Sequence, residues 1–320
     1  MSFLSHIETA LGTLPFPTTP KGLYEPIRYA LEMGGKRVRP VLTLLVYSLY
    51  RDDIERAVPS ALAVEMYHNH TLLHDDLMDN APLRRGRETV YRHWDANTAI
   101  LSGDAMLIEA FRLVLQSDCE RRAEMTALLA DTALEVCEGQ QYDMNFEHEA
   151  EVSVADYMEM IRLKTSVLLG CAAKMGALAA NAPKADAEKL YAFGEKLGLA
   201  FQLQDDYLDC FGDPATFGKR IGGDIREGKK TFLLLTALNR ADATTKTALQ
   251  ALIADKTMAE ETKLASVLDI YRMLDIPTLT QQAIEALFTE AEALLAALPV
   301  ASDKKQSLAT FAQGLLKREK

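Results

Sequence analysis

The chain has 320 residues, of which 48% are hydrophobic and 25% charged, with a formal net charge of −11. This is the composition of a globular protein that can bury a sizeable core, and it excludes disorder as the default. The acidic balance argues against a non-specific nucleic-acid binder, which carries a net basic face, and against a membrane-surface protein.

Residues 1–12 lack a basic stretch followed by an apolar core, and the longest nearby apolar run, residues 41–50, is too short to span a bilayer. A cytoplasmic protein without integral membrane association is expected. Cys119, Cys137, Cys171 and Cys210 lie far apart with no CxxC pair, so neither zinc nor a disulfide framework is signalled.

Apolar residues recur at three- and four-residue spacing over long windows, and strict alternation is nearly absent, so the expected fold is all-α. Breaks are expected at residues 15–20, 51–59, 80–82, 146–153, 181–183 and 211–228, and at Pro277. No repeat and no low-complexity linker divides the chain. A single domain over 1–320 is expected, a bundle of long helices around a central cavity, which the plainer residues after Asn239 complete.

In chain order, the first unusual chemistry is the basic run Gly34-Gly35-Lys36-Arg37-Val38-Arg39-Pro40, whose glycines allow close backbone approach and whose proline can begin a helix. An amphipathic stretch over residues 60–73 then ends in His74-Asp75-Asp76-Leu77-Met78-Asp79. On a helix Asp75 and Asp79 share a face one turn apart, a repulsion that calls for a cation. Hard carboxylate oxygens of this kind suit Mg²⁺, which takes a few carboxylates plus phosphate oxygens and water.

The same DDxxD spacing returns in Gln202-Leu203-Gln204-Asp205-Asp206-Tyr207-Leu208-Asp209. One copy alone reads as a solvated helix face, but two copies in apolar surroundings do not. Cations follow each: Arg84-Arg85-Gly86 after the first, Lys219 and Lys229 after the second. Arginine binds phosphate oxygens bidentately and lysine acts as a flexible point charge. Together they describe sites for two diphosphates, one held through metal and one held directly.

The ordered set GGKRVRP, HDDLMDNAPLRRG, GQQYD, Lys164-Thr165, QLQDDYLDCFGD and GKRIGGDIREGKK resembles the trans-prenyltransferase family, which includes farnesyl and geranylgeranyl diphosphate synthases. The resemblance covers residues 34–230, while the C-terminal third matches only in helical character and a basic tail. It implies head-to-tail condensation of isopentenyl diphosphate with an allylic diphosphate (dimethylallyl, geranyl or farnesyl), in a homodimer. It also implies Mg²⁺ as cofactor, roughly three ions per site.

Carried over residue by residue, the resemblance implies that Lys36, Arg39, His68 and Arg85 hold the isopentenyl diphosphate headgroup. Asp75, Asp79 and Asp205 are the implied direct Mg²⁺ ligands, with Asp76, Asp209, Gln140 and Asp143 in support. Arg84, Lys164 and Lys219 grip the allylic diphosphate, joined by Lys229 when a loop over 211–230 closes. Thr165 and Gln202 line the reacting carbons.

The first motif has the compact DDLMD form, and the GKRIGGD loop is one residue longer than its tightest form, so product length and loop geometry stay open. The resemblance places the limit on chain growth at the fourth and fifth residues before Asp75, Thr71 and His70. With Thr71 small, His70 intermediate and Tyr67 one turn deeper, a short C15–C20 product is expected, with a lean toward C20. A terpene cyclase, a head-to-head condensing enzyme and a non-catalytic subunit are the rivals. GGKRVRP with Arg84-Arg85 favours elongation, and two intact aspartate motifs disfavour a silent subunit.

Overall fold

In the computed structural model, which describes residues 2–213 and 221–316, helices form nearly all the regular structure, as the periodicity predicts. They are α1 (Phe3–Gly12), α2 (Lys21–Glu32), α3 (Val38–Ser48), α4 (Val58–Met78), α5 (Val90–His93), α6 (Ala96–Gln116), α7 (Arg122–Phe146), α8 (Val154–Ile161), α9 (Val167–Ala179) and α10 (Lys184–Phe211). Then follow α11 (Gly223–Glu227), α12 (Phe232–Arg240), α13 (Ala243–Ala254), α14 (Glu260–Met273), α15 (Ile276–Ala296) and α16 (Ser302–Leu316). Among the described residues no helix is long and apolar enough to cross a membrane.

The chain divides into two compact units. The first comprises Met1–Thr132, Cys171–Tyr191 and Pro299–Leu308, and the second Ala133–Gly170, Ala192–Leu298 and Ala309–Lys320.

Two of the expected breaks share one physical cause. Asn80 and Asn181 adopt positive φ, 52° and 57°. In each case the asparagine N–H bonds back to the third residue before it (Leu77, 3.2 Å; Leu178, 2.9 Å). The next N–H reaches the fifth before itself (Ala81 to Asp76, 2.9 Å; Ala182 to Ala177, 2.9 Å). This paired pattern satisfies the last carbonyls of α4 and α9 and stops them. Pro277 lies in the first turn of α15, where its missing N–H costs nothing. Ser153 and Asp156 form a reciprocal cap that starts α8.

In the first unit α4 is the central element, packed by α1, α3 and α6. The amphipathic expectation for residues 60–73 holds only for their end: residues 60–67 are buried without interruption, because neighbours cover every side. A two-stranded hairpin, β1 (Leu83–Arg84) and β2 (Arg87–Glu88), follows α4 and carries too few residues to show alternation in the sequence. Positive φ at both turn residues, Arg85 (53°) and Gly86 (78°), matches the right-handed twist of the strands.

In the second unit one core gathers Tyr157, Ile161, Leu199, Leu203, Leu235 and Ile284. A second gathers Leu233, Leu234, Leu249, Val267, Tyr271 and Ile276. Between α8 and α9 the chain makes one π-helical turn, Arg162–Ser166, and Ser166 Oγ donates to Ile161 O at 3.3 Å.

Candidate active site

In the first unit the basic run divides its labour. Arg37, at positive φ (46°), is 3% exposed; its guanidinium donates to Glu8 Oε1 (2.8 Å), Glu65 Oε1 (2.7 Å) and Leu31 O (2.5 Å). Glu65 is itself 2% exposed and also accepts from Asn69 Nδ2 at 3.0 Å. Arg37 is thus a scaffold residue whose buried charge is matched and whose contacts compensate its left-handed backbone. Nothing in the sequence distinguished it from its neighbours.

Lys36 is exposed and Arg39 half-buried, and Arg39 Nη1 lies 3.2 Å from His68 Nε2. Burial first, then Arg39, Arg85, Arg84 and Arg37 in turn, push the His68 imidazole well below its usual value. A neutral His68 accepts at Nε2 from the guanidinium. Arg85 Nη1 donates to Gly34 O, and its guanidinium lies so close to Gly35 that a Cβ there would sit 2.7 Å from Cζ. Gly35 has φ of 131°, so the glycine pair serves Arg85 through both space and backbone.

Asp75, Asp76 and Asp79 come at the C-terminal end of α4. They differ sharply. Asp76 is 3% exposed, and Arg84 Nε reaches its oxygens at 2.8 and 2.9 Å, with Nη2 at 2.7 Å. Burial outweighs Arg84 and leaves the Asp76 carboxyl above the ordinary range. Arg84, expected on the allylic diphosphate, is therefore engaged with the middle aspartate. Asp79 closes the helix, its N–H bonding Asp75 O at 2.8 Å.

The chain-length candidates lie on the same helix. Tyr67 is 1% exposed, with its ring 5.6 Å from that of His70. Thr71 Oγ1 donates to His68 O at 2.8 Å. His70 Nδ1 donates to Gly103 O at 2.9 Å, and burial pushes its imidazole down to about 4.

In the second unit the π turn presents Lys164 and Thr165. Such turns expose backbone groups and re-aim side chains. Two glycines admit it: a Cβ on Gly139 of α7 would come within 2.3 Å of Lys164 N, and one on Gly198 of α10 within 2.6 Å of Ser166 Cα. Lys164 Nζ donates to Asp143 Oδ2 at 2.5 Å. Gln140 Oε1 is buried and accepts no hydrogen bond.

Thr165 Oγ1 donates to Gln202 Oε1 at 3.2 Å, Gln202 Nε2 to Asp206 Oδ1 at 3.1 Å, and Tyr157 Oη to Asp206 Oδ2. Asp206 is 5% exposed. Burial pushes its carboxyl up to about 8, with Asp224 adding, while the hydrogen bonds from Tyr157 and Gln202 pull it down. Asp206 was visible in the sequence only as a member of the second aspartate motif, with no role of its own, and Tyr157 was not marked at all; a tyrosine in an apolar helix, needing a partner for its hydroxyl, was the available signal.

Asp209, expected beside the metal, has both oxygens taken by backbone: Gly223 N at 3.1 Å and Asp224 N at 3.0 Å. It caps α11. Lys229 Nζ pairs with Glu227 at 3.0 Å, and Lys230 Nζ donates to Phe146 O and, at 2.5 Å, to Glu149 O, beyond the last turn of α7. Lys219 lies outside the described residues.

The aspartates fit a hard divalent cation by donor type, and Asp75 and Asp79 by spacing. Among the described residues no three His, Cys, Asp or Glu side chains gather into a metal cage. A partial carboxylate set is what Mg²⁺ takes when phosphate oxygens and water complete its shell.

A family model described as polyprenyl synthetase matches residues 20–271. The short chain isoprenyl diphosphate synthase of Methanocaldococcus jannaschii is 42% identical over 240 residues, 75% of this chain and 73% of that protein. A crystal structure of geranylgeranyl pyrophosphate synthase matches with a TM-score of 0.94 at 45% identity, covering 100% of both chains. The polyprenyl synthase from Caulobacter crescentus CB15, complexed with calcium and isoprenyl diphosphate, matches with a TM-score of 0.84 at 30% identity, covering 98% of this chain and 94% of that one.

Proposed function

This chain belongs to the polyprenyl synthetase family and is a prenyltransferase making short-chain prenyl diphosphates, and we propose that it adds isopentenyl diphosphate head to tail to an allylic diphosphate, with C20 geranylgeranyl diphosphate as its main product. The observation that carries the proposal is the pair Arg39 and Arg85 in the first unit: Arg39 Nη1 lies 3.2 Å from His68 Nε2, and Arg85 Nη1 is held on Gly34 O. A positive field of that kind, beside Asp75 and Asp79, suits a diphosphate bound without metal. An enzyme that only ionises one diphosphate has no use for it.

Lys36, Arg39, Arg85 and neutral His68 hold isopentenyl diphosphate. Asp75, Asp79 and Asp205 are the proposed Mg²⁺ donors, with Asp76, Gln140 and Asp143 in support, for roughly three ions. The related Caulobacter structure, with calcium and isoprenyl diphosphate, supports a divalent-cation site. When bound, Mg²⁺ supplies charge neutralisation for the departing diphosphate.

Lys164, Lys219 and Lys229 grip that diphosphate, and Arg84 joins them by exchanging part of its Asp76 pairing. Asp209 supports the site by holding the start of α11. As the allylic carbon–oxygen bond breaks, Thr165 and Gln202 face the cation with oxygen dipoles. The isopentenyl double bond attacks the allylic carbon, and the proton then lost from isopentenyl is taken by the released diphosphate.

Four free cysteines suit a reducing cytoplasm. A homodimer is supported by Leu101, Ile108 and Leu115 on α6, which are 61%, 62% and 56% exposed at seven-residue intervals on one face.

The direct test incubates the chain with Mg²⁺ and dimethylallyl diphosphate, with and without isopentenyl diphosphate, and reads products by mass spectrometry. Elongated prenyl diphosphates are expected only when both substrates are present. A product from the allylic substrate alone would overturn the proposal in favour of a cyclase or head-to-head enzyme.

A further inference from the structure

Tyr157 takes no part in the scheme above, yet it starts an unbroken hydrogen-bond chain that ends on a residue placed at the reacting carbons. Its ring is 4% exposed and packs with Ile161, Leu199 and Leu203 in the apolar core of the second unit. A phenol hydroxyl in such surroundings must find an acceptor. It finds Asp206 Oδ2, and the other oxygen, Oδ1, accepts from Gln202 Nε2 at 3.1 Å.

The polarity of the chain follows from the donor and acceptor inventory. Asp206 Oδ2 accepts from Tyr157 Oη and Oδ1 accepts from Gln202 Nε2, so the Gln202 amide nitrogen is turned toward Asp206 and its Oε1 faces Thr165. Thr165 Oγ1 then donates its only hydrogen to that oxygen, at 3.2 Å. The lone pairs of the Thr165 hydroxyl are left for whatever lies on its other side. Toward an allylic cation that orientation is attractive, whereas the reversed hydroxyl presents its hydrogen and repels.

We propose that Tyr157 is a positioning residue for the condensation, holding Asp206 so that Gln202 and Thr165 present oxygen, and not hydrogen, to the developing carbocation. The inference rests on the proposed placement of Thr165 and Gln202 at the reacting carbons. The π turn at Arg162–Ser166 fixes the last link, because it sets the backbone that carries Thr165. Tyr157 acts through three intervening hydrogen bonds and touches no substrate.

The test is a double-mutant cycle in steady-state kinetics with both diphosphates. Tyr157→Phe keeps the ring in the core and removes only the hydroxyl; kcat is expected to fall about tenfold, with the KM for isopentenyl diphosphate unchanged. Thr165→Val alone lowers kcat by at least as much. The double variant is expected to be no slower than Thr165→Val alone, since the tyrosine works only through the threonine.

Losses that multiply in the double variant, or an unchanged kcat in Tyr157→Phe, overturn the positioning role. Should Tyr157→Phe be recovered only unfolded, Asp206→Asn breaks the same chain at its next link and is read against Thr165→Val in the same way. A wild-type chain that makes no elongated product overturns the condensation reading itself, whereas multiplying losses in an active enzyme overturn only Tyr157.

Discussion

Tyr67, buried one turn before Thr71 on α4, is the side chain proposed to limit the length of the product. Its ring neighbours His70, which is anchored through Nδ1 to Gly103 O and kept neutral by burial. Neutral His70 and the small Thr71 leave Tyr67 as the bulky group at that depth. Tyr67→Ala is expected to shift the product distribution to longer chains, as read by mass spectrometry of reactions begun from geranyl diphosphate. The same products from both proteins would remove Tyr67 from the limit on chain growth. The family resemblance pointed to His70 and Thr71, and helical spacing added Tyr67 one turn deeper. That His70 is turned toward the Gly103 carbonyl was not, because its partner lies 33 positions away.

At the scale of elements, the π turn at Lys164-Thr165 depends on close approach of two other helices. Gly139 of α7 and Gly198 of α10 leave no room for a Cβ against it. Gly139→Ala is therefore expected to displace the Lys164 backbone, to lower stability by about 1–3 kcal/mol, and to reduce kcat more than the loss of folded protein accounts for. Gly314, exposed on α16 with nothing within 4 Å of a Cβ, is the control. Gly314→Ala is expected to raise stability by about 0.5–1 kcal/mol through helix propensity alone. Thermal denaturation of both variants separates crowding from a general effect of removing glycine. The motif GQQYD announced a site of interest, but its glycine shows its use only against the turn it admits.

For the whole molecule, the exposed stripe Leu101, Ile108 and Leu115 bears on assembly. Ile108→Glu is expected to convert a dimer to a monomer in sedimentation experiments at micromolar concentration, and a wild-type chain that sediments as a monomer would sink the dimer. Local sequence was enough to determine the helices, their asparagine and proline boundaries, the two aspartate motifs and the family they mark. These depend on residues within a few positions of one another, where helical spacing leaves little choice. Only the tertiary structure decided how charges of one motif divide their work. Arg37 is taken up by Glu8 and Glu65 while Arg39 reaches His68; Asp76 holds Arg84; Asp209 holds α11; and Lys230 closes on carbonyls at and just past the end of α7. Each of these pairings joins groups beyond the reach of helical spacing, and a buried charge takes whichever partner the fold delivers. The same is true of Tyr157, an unremarked residue of an apolar helix until the fold sets its hydroxyl against Asp206.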